Sequence, residues 1–322
     1  QYQDTNRTPR PGHASYASFK KYGPSDDAIG AGIFSGRYTS TIVGPGYIAK
    51  KILADLGIRV VSYVKELAGV HCPPVDVKKI IKYTDDYKRM RHDHDPFYQE
   101  IYVKKRITPD MRFLEKMAVL AKVEKEIPKI RKKAPAFNAA GIKRKYKVHA
   151  VLNCPDIDAA EEMVAACNRI SATGDSAGGL VEVVVTGMPA GVGEPVFDKL
   201  DGELGKLMGI GAVKGVEVGA GFATKDMTGY ECNDQMRSEK GKVVFDSNNA
   251  GGITGGVTTG QDIVIRVAVK PTPTIDRAQH TIDKYTLKNK MLEAITRRDP
   301  TIVARIWPVA ENYTAMILLD HL

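Results

Sequence analysis

The sequence has few of the features that would place it in a specialised class. Its 322 residues include four cysteines, at positions 72, 154, 167 and 232. These form no C-x-x-C pair, which argues against a zinc ribbon or a disulfide scaffold and favours reduced thiols. No run of 18 apolar residues occurs, so no membrane-spanning helix is predicted. An apolar signal core and an initiator methionine are also absent at the N-terminus, which suggests a chain that begins inside a longer product or was processed.

The formal net charge of +9 is concentrated in one segment. Residues 71–149, here called the basic segment, carry 21 Lys plus Arg against 10 Asp plus Glu, whereas the rest carries 26 against 28. Helical spacing of apolar residues predicts an amphipathic helix over 109–131. The residues of its apolar face are Met111, Leu114, Met117, Ala118, Ala121 and Val123. Basic and aromatic residues together can bind nucleic acid, but no RNA-binding signature accompanies them, so a solvated helical excursion is favoured.

A short stretch of the basic segment, "RHDHDP", alternates two histidines with two aspartates, His92 to Asp95. Four such residues arise easily by chance in one loop, and no metal site is predicted.

The remaining chain alternates predicted helices and strands, which indicates an α/β fold. A helix near "GPGYIAKKILADLGI" is expected to place Ile48, Ile52, Leu53 and Leu56 on one face. A second helix is predicted at 154–170, and a third, "EPVFDKLDGELGKLM", with four apolar residues inward: Phe197, Leu200, Leu204 and Leu207. Strands are predicted at "IRVVSYV", "LVEVVVTGMP", "VKGVEVG" and "DIVIRVAVK". The C-terminal helical region is expected to break near Pro308.

Glycine-rich loops join several of these elements, the longest being "SNNAGGITGGVTTGQ" at 247–261 with five glycines. Its composition indicates a backbone approached closely by a ligand or by the chain itself, and turn chemistry is the more common reason. No loop matches a phosphate-binding fingerprint. The following strand ends in "VKPTPTI", where Lys270, Thr272 and Thr274 in stiffened, extended backbone suit a phosphate monoester.

Several motifs, in order along the chain, resemble the chorismate synthases. They are "RPGHASY", "FSGRYTS…IAKKIL", "GDSAGGLVEVVVTGMPAGVGEPVFDKLD", "AVKGVEVGAGF", "NNAGGITGG", "KPTPTI" and "RRDP…PVAENYTAMILLDHL". The resemblance covers 1–70 and 150–322, interpreted as one catalytic domain with residues 71–149 as a largely helical insertion. It implies a β-α-β sandwich, a cytoplasmic homotetramer, no membrane association, and a lyase that uses reduced FMN to eliminate phosphate from 5-enolpyruvylshikimate 3-phosphate. NADPH is the reductant in only some members, so its use here stays open.

The resemblance also implies roles for individual residues. His13 matches the histidine that protonates the reduced flavin, Asp299 the base at the flavin ring nitrogen, and Arg37 an arginine on the substrate side. FMN contacts carry over to Ile33, Phe34, Ser35, Gly211, Ala212, Gly255, Lys270, Pro271, Thr272, Pro273, Thr274 and Arg297. Two structural alternatives stay open: His13 could cap the helix that follows it, and Asp299 could be an N-cap before Pro300. Arg266 is assigned no role.

The sequence departs from the family pattern at four positions: Ile33 stands for Arg, Tyr38 for Glu, Arg298 for His and Thr301 for Cys. The family's N-terminal "GESHG" histidine and its "RRRPG" stretch are not found, so the chain as given is expected to be impaired. Two other functions therefore stay open beside the enzyme. One is a non-catalytic protein that binds FMN or phosphate, and the other an interaction module that binds nucleic acid through the basic segment.

Overall fold

The computed structural model describes residues 7–26, 34–94, 104, 106–108, 110–133, 152–295 and 299–322. It divides into two compact units, one formed by Gln1–Cys72 with Glu161–Leu322 and one by Pro73–Ala160. The helices are α1 Ser15–Tyr22, α2 Ser40–Asp55, α3 Val77–His94, α4 Phe113–Lys133, α5 Ile157–Ala172, α6 Leu200–Leu204, α7 Gly229–Cys232 and α8 Val303–Asp320. The strands are β1 Arg59–Leu67, β2 Val70–His71, β3 Gly179–Thr186, β4 Val213–Val218, β5 Met236–Glu239, β6 Lys242–Phe245, β7 Ile253–Thr254, β8 Val257–Thr258, β9 Ile263–Val269, β10 Gln279–Ile282 and β11 Asn289–Leu292.

A five-stranded sheet in the order β2-β1-β3-β9-β4 forms the centre of the larger unit. All of its strand pairs are antiparallel. Strands β1 and β3 are rich in valine, and each is buried over five consecutive residues, as expected for central strands. Three hairpins, β5–β6, β7–β8 and β10–β11, lie outside this sheet. The four strands predicted from the sequence correspond to β1, β3, β4 and β9, and the mixed helix-and-sheet class is confirmed.

Helix α8 packs on the sheet and against α2, and it is continuous. Pro308 lies inside it, so the predicted break is wrong. A proline here removes one backbone hydrogen bond, but ten residues of α8 are buried, and that packing keeps the helix intact. Glu311 accepts a hydrogen bond from Lys50 of α2, and the Ser62 hydroxyl of β1 lies 2.8 Å from its other carboxylate oxygen. This polar cluster joins α2, β1 and α8.

The inward face of α2 differs from the predicted one. Gly46, Ala49 and Leu53 are buried, whereas Ile48 is 62% exposed, Ile52 44% and Leu56 60%. At Gly46 the two helix backbones come so close that an added Cβ would overlap the backbone of Asn312. A small residue therefore decides which face of α2 meets α8, and only Leu53 of the predicted set is buried.

The third predicted helix is much shorter than expected. Residues before Lys199 are not helical, and Phe197 is 95% exposed, so its inward placement is wrong. The amide of Leu200 donates to the carbonyl of Gly256, 3.1 Å away, which fixes α6 to begin at Leu200. Leu200, Leu204 and Leu207 are buried as predicted.

The N-terminal segment 7–26 is fastened to the β10–β11 hairpin. Lys284 and Asp26 form an ion pair at 3.2 Å, with 4% and 5% of their side chains exposed. The Lys284 ammonium also lies 4.5 Å from the ring centroid of Phe19. Burying a charged pair is costly unless it is closely matched, so its partners must keep this geometry. Thr281 adds a hydrogen bond to the Pro9 carbonyl at 2.6 Å.

The smaller unit contains α3 and α4. Helix α4 confirms the helix predicted at 109–131 but not its apolar face: Val123 is buried, whereas Leu114, Met117, Ala118 and Ala121 are exposed. Arg106 and Glu126 form an ion pair at 3.0 Å.

The side chains of His92 to Asp95 lie outside the part of the chain that the structure describes. Among the residues that it does describe, no cluster of side chains could hold a metal ion. No described helix is long and apolar enough to cross a membrane. The four cysteines form no disulfide.

Candidate active site

The segment that follows β9, Lys270 to Thr274, is the point where the candidate site residues meet. Its backbone is anchored at its start by Lys270 N–H donating to the Ala212 carbonyl at 3.0 Å. Further along, the Ser176 hydroxyl donates to the Thr272 carbonyl at 2.7 Å. The Thr272 hydroxyl in turn donates to the Asp299 carbonyl at 2.8 Å. One strand end therefore connects the loop before β4, the loop before β3 and the loop before α8.

The "RPGH" segment lies against the same strand end. Lys270 Nζ donates to the carbonyl of Gly12, and Arg10 Nη1 donates to the Thr274 hydroxyl at 2.9 Å. Arg10 Nη2 also lies 2.9 Å from Nε2 of His13. His13, Arg10, Lys270 and Thr274 thus form one cluster, here called the basic cluster. Lys270 and Gly12 are 258 positions apart in the sequence, and Arg10 and Thr274 are 264 apart, yet each pair is in direct contact.

The environment of His13 favours its neutral form. Burial, with the Arg10 and Lys270 charges, lowers the pKa of His13 from 6.5 to about 4. The Ser15 amide donates to Nδ1 at 3.1 Å, which requires a lone pair on that nitrogen. The side chain therefore does accept a backbone hydrogen bond at the start of α1, although the N-cap position itself is Ala14. Burial is the largest cause of this low pKa, and the two neighbouring cations lower it further.

The low pKa of His13 gives a stability prediction. The folded state holds His13 neutral at pH values where the unfolded chain binds a proton, so its contribution is present above about pH 6.5 and is lost as pH falls towards 4. The slope stays below the roughly 1.4 kcal/mol per pH unit of one full proton, because the ring is only partly buried. We expect His13→Asn to lose less stability than the wild type between pH 6.5 and 4 in urea unfolding. Parallel curves for the two proteins would contradict this environment for His13.

Asp299 is not an N-cap. Helix α8 begins at Val303, its N-cap is Ile302, and that cap makes no side-chain hydrogen bond. The Asp299 carboxylate instead pairs with both terminal nitrogens of Arg305, at 3.0 and 3.1 Å. Its backbone carbonyl is bound by Thr272, so Asp299 is directly linked to the strand end that carries the basic cluster.

Ala212 lies in the loop before β4 with φ +72°, in the left-handed region. A residue with a Cβ adopts this region at a cost of about 1 kcal/mol or more, and such strain is concentrated at functional sites. Ala212 is one of the predicted FMN contacts, and its carbonyl anchors Lys270.

Phe34, Ser35, Arg37 and Gly211 make no hydrogen bond or ion pair with this cluster within the described part of the chain. Phe34 and Arg37 are exposed in the turn before α2, where Ser35 accepts a hydrogen bond from the Arg37 amide at 3.3 Å. Gly211 is exposed beside Ala212. Ile33, Arg297 and the substituted residue Arg298 lie outside the described residues.

The glycine-rich loop 247–261 is shaped mainly by its own chain. A Cβ on Gly251, Gly252 or Gly256 would overlap backbone atoms of Gly219, Asp262 and Glu194 respectively. Asp234 braces the loop from outside by accepting hydrogen bonds from Ser247, Asn249 and Ala250. Gly255 differs, because its φ is +66° but nothing lies within 4 Å of an added Cβ. Of these glycines, Gly255 has open space in front of it.

Sequence reasoning missed two charged residues of the candidate site. Arg10 was passed over although it stands three residues before His13 in "RPGH", the one local signal for it. Arg305 lies in the first turn of α8, and nothing in its sequence context indicates a carboxylate partner. Arg266 pairs with Glu217 at 3.2 Å across β9 and β4, which is a structural role.

Comparison with known proteins identifies the family of the chain. The family model for chorismate synthase matches residues 1–322. The chorismate synthase of Acetivibrio thermocellus is 39% identical over 316 residues, covering 97% of this chain and 64% of its own length. That of Methanosarcina acetivorans is 37% identical over 322 residues, covering 100% of this chain and 71% of its own.

A solved structure titled as a crystal structure of chorismate synthase superimposes with a TM-score of 0.59, covering 95% of this chain and 68% of that one. Its sequence identity of 22% makes this a likeness of fold alone. The chain spans 64% and 71% of the length of the two curated relatives. A match of the family model over all 322 residues, together with relatives at 37% and 39% identity, shows that the chain belongs to the chorismate synthase family.

Proposed function

We propose that the protein catalyses the chorismate synthase reaction, the 1,4-elimination of phosphate from 5-enolpyruvylshikimate 3-phosphate, with reduced FMN. The observation that carries this proposal is the docking of "RPGH" on the "KPTPT" strand end, with Asp299 bound to the same segment. In a member of this family, that docking supports the proposal that His13 and Asp299 act as acid and base at one site.

The basic cluster fits phosphate-bearing ligands. Within the described part of the chain, Lys270 has no carboxylate partner, and its charge and that of Arg10 together disfavour protonation of His13. Two cations side by side attract anions. Both FMN and the substrate carry a phosphate monoester, for which an ammonium, a guanidinium fork and a hydroxyl are suitable donors. When bound, the reduced flavin supplies electron density to the breaking carbon–oxygen bond and recovers it afterwards.

The residues of the chain then divide the proton handling between them. His13 is neutral while the cluster has no anion beside it. An anion placed against Arg10 and Lys270 offsets their charge and raises the proton affinity of His13, which makes it a general acid when ligand is present. The Asp299 carboxylate, which contacts the Arg305 guanidinium, serves as the base. Lys270 and Arg10 orient the anionic groups.

The remaining contacts complete the proposed FMN and substrate sites. Ser35, Phe34 and Arg37 supply a short turn with exposed polar and aromatic groups, and Gly255 supplies open backbone. Two observations support Ala212 as an FMN contact: its strained φ, and the hydrogen bond that its carbonyl accepts from the Lys270 amide.

The direct test is an anaerobic assay of phosphate release from 5-enolpyruvylshikimate 3-phosphate with chemically reduced FMN. We expect release that requires reduced flavin and yields chorismate in equal amount. Folded protein that binds reduced FMN but releases no phosphate would overturn the proposal. Oxidised FMN serves as the matched control, because the proposed chemistry needs the electron density of the reduced form.

We also propose a cytoplasmic location, as family membership suggests, and a homotetramer, which is supported by the apolar side of α2 that stays exposed in the described part of the chain. Tyr47, Ile48, Ile52 and Leu56 are all exposed there. Neighbouring exposed apolar residues on one helix are typical of subunit interfaces.

Charging this side of α2 is expected to dissociate the oligomer. Ile48→Lys combined with Ile52→Lys buries two unpaired ammonium groups in any interface formed there, at a cost that exceeds what such a contact provides. Light scattering after size exclusion should show a smaller mass than for the wild type. Leu114→Lys, equally apolar and 78% exposed, is the control and should keep the wild-type mass. An unchanged mass for the double variant would exclude this face as an interface.

A further inference from the structure

Arg305 and Asp299 form a two-point contact beside the candidate active site. Nη2 lies 3.0 Å from Oδ1, and Nη1 lies 3.1 Å from Oδ2. A guanidinium that binds both oxygens of a carboxylate fixes its plane as well as its position, which a single hydrogen bond or a lysine does not do.

Both partners stand on fixed backbone. The Asp299 carbonyl accepts from Thr272, and the next carbonyl, that of Pro300, accepts from the Ala177 amide at 2.8 Å. Arg305 belongs to the first turn of α8, where Val303 and Ile306 are buried and hold the helix in the core. With the backbone fixed in this way, the Asp299 side chain could still rotate about its own torsions. The contact with Arg305 prevents that rotation.

The pair contributes little to folding. Arg305 is 71% and Asp299 47% exposed, and exposed pairs of this kind give about 0–1 kcal/mol. The pair instead matters for the position of the carboxylate, because displacing a reacting group by about 1 Å can lower the rate roughly 100-fold. We propose that Arg305 is a positioning residue that holds the Asp299 carboxylate in the orientation needed to accept a proton. This inference rests on the proposed function, in which Asp299 is the base.

A double-mutant cycle tests the inference, with wild type, Arg305→Met, Asp299→Asn and the double variant assayed for phosphate release with reduced FMN. We expect Arg305→Met to lower kcat by about 10- to 100-fold with KM changed less than threefold. Adding Arg305→Met to Asp299→Asn should lower kcat no further, because Arg305 acts through that carboxylate. Arg305→Lys keeps the charge but not the fork and should recover only part of kcat.

Two measurements without turnover separate positioning from a structural role. The Kd for oxidised FMN, from fluorescence, and the melting temperature should be the same in Arg305→Met as in the wild type. Arg237→Met removes another exposed arginine that pairs with carboxylates, in the β5–β6 hairpin, and should leave every readout unchanged.

The outcomes are distinct. Unchanged kcat in Arg305→Met, an equal further loss in the Asp299→Asn background, or a joint fall of melting temperature and FMN affinity would overturn the inference. A wild type that releases no phosphate would instead overturn the proposed function.

Discussion

Replacing His13 with alanine is expected to lower kcat for phosphate release by roughly 10²- to 10⁴-fold, the usual contribution of a positioned proton donor. His13 is the titratable ring in the basic cluster, with Ser15 and Arg10 fixing its position. Alanine removes the proton without introducing a charge or a larger side chain. The assay is anaerobic phosphate release with reduced FMN at saturating substrate.

His71→Ala is the matched control, since His71 is 68% exposed and pairs with Glu66 in the β1–β2 hairpin. It should keep wild-type kcat. The melting temperature of His13→Ala should remain close to that of the wild type, which separates lost chemistry from lost structure. Turnover near the wild-type value in folded His13→Ala would remove His13 from the proposed mechanism.

Gly46→Ala is expected to destabilise the protein by about 2–3 kcal/mol, although alanine is the better helix former. The added methyl would overlap the backbone of Asn312, and backbone in the middle of α8 cannot move aside as a side chain could. The change would force apart α2 and α8, which also share the Lys50–Glu311 pair. Urea unfolding followed by circular dichroism measures the loss.

Gly44→Ala provides the contrast within the same helix. Gly44 is exposed and has nothing within 4 Å of an added Cβ, so only the helix propensity changes. We expect a gain of up to about 1 kcal/mol. Equal effects of the two substitutions would show that the close contact of α2 with α8 is not formed as described.

The strands and the fold class were predictable because their signals are local. Strand β9 alternates buried and half-buried residues along its whole length, as its sequence predicts. The helix faces were less predictable. The orientation of α2 depends on Gly46 meeting Asn312, and the start of α6 depends on Leu200 bonding Gly256. Each of these contacts joins residues that are far apart in the sequence, so the spacing of apolar residues along one helix does not reveal it.

The candidate site, like the fold, was only partly predictable from the sequence. The prediction that Lys270, Thr272 and Thr274 bind phosphate followed from residue type and stiff backbone, whereas the roles proposed for His13 and Asp299 came from resemblance to a family. Neither approach found Arg10 beside His13 or Arg305 on Asp299, because both contacts depend on how loops pack. The glycine-rich loop 247–261 suggested a ligand, yet three of its glycines are required by neighbouring backbone.

The contact of Gly12 with Lys270 also governs when the site can form during synthesis. Residues 10–13 leave the ribosome long before 270–274, since 258 positions separate Gly12 from Lys270. Contacts so distant in sequence form late in folding, after the loop-closure entropy has been offset by the sheet. The N-terminal segment therefore reaches its native position, with His13 and Arg10, only after the end of β9 and the β10–β11 hairpin have formed. A nascent chain released early would carry His13 and Arg10 but not the strand end that holds them in place.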